Sequence, residues 1–231
     1  MSDDREVVES VDVLIPAPGS NLSGTLYTPL DGADIHSGLV LATGRGGQRG
    51  WWHWLAVMLA TAGYVTLTFD FRSPADNGEP AGAELLADME AAVAYLDALP
   101  GIDRSELLVG GQGLGGSLAL QVAANKPSVK AVFGFGVDSG GAEIQRVMPE
   151  VKVPLLLVQY THDQLVPLHV VEELYSLAGG PKRLVVAEGG SHQAAYRDPQ
   201  IAVLLLDWFR DLQQAQLLQL LWVPPEVLAS E

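Results

Sequence analysis

The chain contains no cysteine, which rules out a disulfide framework and any thiolate metal site. Basic residues are scarce, 13 Lys and Arg against 28 Asp and Glu, for a formal net charge of −15. Such a field repels phosphate backbones and anionic headgroups, so neither nucleic acid nor membrane is expected as a partner. Apolar runs such as 154–158 and 201–206 fall far short of the ~20 residues a membrane-crossing helix requires. The first nine residues are polar and acidic and lack the basic and apolar regions of a secretory signal, so a cytoplasmic location is the expectation. No H-E-x-x-H or G-x-x-x-x-G-K-[ST] pattern occurs; no metal and no cofactor is expected.

What remains is a globular composition. Hydrophobic residues make up 48% of 231 positions, enough for one domain with a sizeable core. Short apolar runs at 38–42, 64–69, 106–109, 129–135, 153–159 and 183–187 read as strands. Helix-like segments at 51–62, 84–99, 114–125, 142–148, 168–178 and 199–213 fall between or after them. Two further strands, 7–15 and 22–27, precede the series, with 16–21 as their turn. Alternation with short connections predicts a mostly parallel sheet of about eight strands with helices on both faces. Sites in such sheets lie at the carboxyl ends of the strands. That rule brings Thr43-Gly44-Arg45, Asp70, Gly113, Asp138-Ser139, Asp163 and His192 to one rim.

The segment 107–120 organises the rest: an apolar run, the glycine knot Gly110-Gly111-Gln112-Gly113-Leu114-Gly115-Gly116, then a helix. Gly111 and Gly115 have the spacing of the nucleophile elbow G-x-S-x-G, a sharp strand-to-helix turn. Its central residue here is Gly113. Two later segments complete a set in the order nucleophile, acid, base: Thr161-His162-Asp163-Gln164-Leu165-Val166-Pro167 and Glu188-Gly189-Gly190-Ser191-His192.

On these three motifs the chain resembles the alpha/beta-hydrolase superfamily, within it the small dienelactone-hydrolase-like esterases, from about Ser23 to Asp211. The span between Phe135 and Val153 is too short for a cap domain. The resemblance implies that His192 is the general base and Asp163 its orienting acid. It implies an oxyanion hole formed by the backbone N–H groups of Leu114 and Arg45. It also implies that Gly113 stands at the nucleophile position. Glycine offers no atom to attack a carbonyl, so the acyl-enzyme route is closed and ester hydrolysis is expected to be absent or very weak. A small carbonyl or ester-like molecule is the expected ligand. Two other readings remain open: a ligand-binding receptor or regulator without turnover, and His192-based lyase, cyclase or hydratase chemistry.

Other candidates are less specific. Trp52, His53, Gln112 and Ser139 are candidate pocket residues, with Trp51 and Trp54 read as core. Ser117, one turn past Gly113, reads as packing. Asp70-Phe71-Arg72 resembles a structural ion pair of the family. Residues 1–211 are expected to form the hydrolase domain. Residues 212–231 are expected to form an apolar tail, read equally as a docked helix or as a contact in a homodimer.

Overall fold

The computed structural model describes residues 7–73, 81–138 and 141–221. Its strands are β1 (Val8–Ala17), β2 (Ser20–Pro29), β3 (His36–Ala42), β4 (Tyr64–Phe69), β5 (Ile102–Gln112), β6 (Val129–Phe135), β7 (Leu155–Tyr160) and β8 (Lys182–Ala187). Its α-helices are α1 (His53–Thr61), α2 (Gly82–Ala98), α3 (Leu114–Asn125), α4 (Ala142–Val147), α5 (Leu168–Leu177) and α6 (Gln200–Leu221).

All eight strands form one sheet in the order β1-β2-β4-β3-β5-β6-β7-β8. The β1–β2 and β2–β4 pairs are antiparallel; every pair from β4–β3 onward is parallel. The inner strands β4 and β7 are buried along their whole length, as sheets covered on both faces require. Neighbouring residues of β2 point to opposite faces. Leu26 packs into the larger core, where Val40, Val109, Val132 and Leu157 meet Met89, Val93, Leu118 and Val122 of α2 and α3. Tyr27 packs with Ala56 and Ala60 of α1 on the other side.

In the first third of the chain two local expectations change. The first hairpin is tighter than expected: β1 and β2 pair through Ala17 and Ser20, so Pro18 and Gly19 alone make the turn. Pro16 is tolerated inside β1 because that strand lies at the sheet edge. The helix expected from residue 51 opens as a 3-10 turn, Arg49–Trp52, before α1 begins.

Residues Met1–Asp198 form one compact unit and Pro199–Glu231 a second. The second holds α6, which runs through residue 212 without a break; the tail beyond 221 lies outside the described residues. No helix among the described residues is long and apolar enough to cross a membrane.

Candidate active site

The site is built at the carboxyl ends of β5, β7 and β8. β5 ends at Gln112, and α3 begins at Leu114. Between them Gly113 takes φ 54° and ψ −119°, a left-handed conformation that costs a side-chain-bearing residue ~1–3 kcal/mol and glycine little. The Gly113 N–H is tied to the Phe135 carbonyl of β6 at 2.9 Å, which fixes the turn against the sheet. Leu114 is the first helical residue, and N–H groups in the first turn of a helix have no intrahelical acceptor.

Asp163 follows β7. One carboxylate oxygen accepts from the N–H groups of Leu165 and Val166, both at 2.9 Å. The other meets His192 Nδ1 at 2.8 Å. The Asp163 side chain is 1% exposed and that of His192 17%. A carboxylate only accepts, so Nδ1 carries the proton, and in the neutral imidazole Nε2 then presents a lone pair. That Nε2 is 3.1 Å from the point where a Cβ on residue 113 would stand. The three distant segments therefore converge.

A glycine unmentioned by the motifs makes room for the pair. Gly136, just after β6, has φ 50°, and a Cβ there would lie 3.0 Å from Asp163 Oδ2 and 3.2 Å from His192 Nδ1. Any side chain would press on the carboxylate–imidazole bond.

Gln112 and Tyr196 hold the surrounding loops. The Gln112 amide donates to the His192 carbonyl at 2.8 Å. Its oxygen accepts from the Tyr196 hydroxyl at 2.9 Å, which in turn accepts from the Gly44 N–H at 2.8 Å. One side-chain relay thus joins the elbow, the histidine loop and the loop after β3. Tyr196 is 4% exposed, and burial pushes its hydroxyl up to about 12, the Gly44 N–H opposing only part of that rise. The Trp51 and Trp52 rings flank it at 5.1 and 4.3 Å, and Trp54 Nε1 donates to its carbonyl. No local sequence signal marks Tyr196, because its partners are 84 and 152 positions away.

A cleft of about 420 Å³ opens over these groups. Gly44, Arg45, Gln112, Gly113, Leu114, Asp138 and His192 line it, together with Trp51, Gln193, Tyr196 and the apolar residues Leu165, Val166, Pro167 and Val170. A second hollow, about 800 Å³, shares Gly44, Arg45 and Leu114 and continues past Arg49, Asp70 and Arg72.

Several expected placements are corrected. Trp52 does not reach the cleft: it is fully buried and donates from Nε1 to the Ala42 carbonyl at 3.1 Å. Trp51, read as core, is 39% exposed and lines the cleft instead. His53 is exposed but turned to Tyr27, whose hydroxyl lies 3.2 Å from its Nδ1, and it does not line the cleft. Asp70 and Arg72 do not pair with each other: Asp70 holds Arg49, and Arg72 holds Asp88 at 2.6 Å and Glu84 at 3.1 Å. Ser117 is buried, 2.6 Å from the Asp138 carbonyl to which it donates, in keeping with a packing role. Ser139 lies outside the described residues.

Known proteins agree with this architecture. A dienelactone hydrolase from Anabaena variabilis superposes with a TM-score of 0.76 over 89% of this chain and 99% of its own, at 24% identity. Est1E from Butyrivibrio proteoclasticus superposes at 0.74 over 89% and 98%, at 15% identity. The fold is that of an alpha/beta-hydrolase. A family profile described as PETase, PET hydrolase-like, matches residues 8–215, and the chain belongs to that family of esterase-type hydrolases. An uncharacterised Mycobacterium tuberculosis protein is 26% identical over 211 residues, 82% of this chain and 73% of that protein. A bis(hydroxyethyl) terephthalate hydrolase of Streptomyces coelicolor is 29% identical over 146 residues, 63% of this chain and 46% of that hydrolase.

Proposed function

We propose that this protein is an esterase-type alpha/beta-hydrolase that keeps the acid–base pair Asp163/His192 and an oxyanion hole at Leu114 and Arg45 but has no covalent nucleophile. Its ligand is a small carbonyl or ester-like molecule bound in the cleft beside Gly113. In this reading acyl-enzyme turnover is absent, and esters are hydrolysed very weakly or not at all. The carrying observation is the stance of His192: Nδ1 on Asp163 at 2.8 Å and Nε2 3.1 Å from the position of a residue-113 Cβ. An imidazole so held is what a serine at that turn would require as its base. The cleft's apolar residues and Trp51 suit the aryl or short acyl part of an ester, in line with the ester chemistry named for the Streptomyces relative.

The test is Gly113→Ser, assayed with 4-nitrophenyl butyrate and with bis(hydroxyethyl) terephthalate. Saturable hydrolysis should appear, at least ~10²-fold above the unmodified chain, and should vanish when His192→Ala is added. A folded Gly113→Ser protein with no His192-dependent turnover would refute the assignment.

A further inference from the structure

We propose that the unmodified chain hydrolyses activated carboxylic esters, aryl esters in particular, without an acyl-enzyme. In this reaction His192 deprotonates a water standing in the volume that a residue-113 side chain would otherwise fill. The inference rests on the preceding reading of His192 as base and of Leu114 and Arg45 as oxyanion donors. It goes beyond that reading in assigning the protein a turnover of its own.

The volume that Gly113 leaves without a side chain lies beside the base and admits a water. The nearest heavy atoms to a Cβ built on Gly113 are His192 Nε2 at 3.1 Å, His192 Cε1 at 3.5 Å and the Gly44 Cα at 3.8 Å. An alanine would place a methyl group against the basic nitrogen and obstruct it; glycine leaves that approach to the ~420 Å³ cleft. A water's share of liquid volume is about 30 Å³, so the cleft accommodates a water and a small ester together. Because the Asp163 carboxylate accepts the hydrogen bond from Nδ1–H at 2.8 Å, Nε2 is left as the acceptor for that water, at the ~2.8 Å usual for such bonds.

The step balances without a co-reactant beyond water. The water oxygen bonds to the ester carbonyl carbon as one of its protons passes to Nε2. The carbonyl π pair moves to oxygen, held by the N–H groups of Leu114 and Arg45. Collapse breaks the bond to the leaving oxygen, which takes the proton back from the imidazolium. Carboxylic acid and alcohol or phenol depart; Asp163 remains a carboxylate throughout. Water must carry out the whole displacement in one addition, which restricts the substrates to esters with good leaving groups.

The experiment compares the unmodified chain with His192→Ala, His192→Gln, Gly113→Ala and Gly113→Ser, each checked for folding by circular dichroism, on 4-nitrophenyl acetate. The proposal expects steady turnover by the unmodified chain without an initial burst and without an acyl adduct by mass spectrometry. The rate should be lower in heavy water. Both His192 variants should lose about 10²-fold of the enzymic rate, and Gly113→Ala should lose activity although His192 is intact. Gly113→Ser should show a burst. Turnover that survives loss of His192, or an acyl adduct on the unmodified chain, overturns the proposal. An inert unmodified chain beside an active Gly113→Ser also overturns it and leaves the esterase reading standing. If neither protein turns over, both fall.

Discussion

Tyr196→Phe removes one oxygen atom and should be among the costlier single-atom changes in this protein. The ring keeps its packing between Trp51 and Trp52, so little apolar burial is lost. Two partners are stranded instead: the Gly44 N–H, 2.8 Å from the hydroxyl, and Gln112 Oε1, 2.9 Å from it. Gly44 is buried and Gln112 is 2% exposed, so water does not readily replace the hydroxyl. A buried polar group left without a partner costs ~1–3 kcal/mol. Two of them, with some relaxation, amount to about 2–4 kcal/mol, and to a fall of roughly 5–15 °C in Tm for a domain of this size. Tyr160→Phe is the matched control. Its ring is equally buried, but its hydroxyl meets the half-buried carboxylate of Asp198 at 2.9 Å, which solvent can reach. That loss should cost only about 0.5–1.5 kcal/mol. Urea denaturation followed by circular dichroism measures both, and a double-mutant cycle with Gln112→Leu should show a coupling above ~0.5 kcal/mol. Equal costs for the two tyrosines, with additivity in the cycle, would refute the idea that this relay holds the loops together.

Two further outcomes follow from buried charges and hydroxyls. Burial raises Tyr196 from 10 to about 12, and Tyr160 moves in the same direction through burial and the Asp198 carboxylate. The unfolded chain therefore loses these protons first: stability is full below pH 10 and falls as pH rises through the folded value, by up to ~3 kcal/mol for Tyr196. Urea midpoints on either side of pH 10 should show this, and Tyr196→Phe should flatten the slope. Arg72→Ala strands the fully buried Asp88, which holds the guanidinium at 2.6 and 3.0 Å, and should cost about 3–5 kcal/mol; a change under ~1 kcal/mol in the same urea experiment would show that the carboxylate finds another partner.

Most of the sheet was legible because inner parallel strands are continuous apolar runs and need no partner to be recognised. α3 and β6 fall where the glycine knot and the run 129–135 put them. The convergence of Gly113, Asp163 and His192 was legible for a different reason: each sits at a strand end, and strand ends in such a sheet share one rim. The tryptophans depart from their expected faces because a helical wheel assumes 3.6 residues per turn, whereas Arg49–Trp52 is a 3-10 turn with 3.0. The change of pitch turns Trp52 inward and leaves Trp51 at the cleft. The final helix runs past its expected end at 213: α6 continues to Leu221, since neither proline nor glycine interrupts 200–221. The Gln112–Tyr196–Gly44 relay had no signature at all, since a side-chain bond across 84 residues leaves no periodicity behind.

The proposed function requires a side chain placed on residue 113 to meet a working base and a working oxyanion hole. Titration of Gly113→Ser with an aryl phosphonate ester tests it most directly. Stoichiometric phosphonylation of Ser at that position is expected, abolished by His192→Ala. In the adduct's structure the phosphonyl oxygen should lie between the N–H groups of Leu114 and Arg45. A folded Gly113→Ser chain that stays unlabelled, or one labelled equally well without His192, would contradict it.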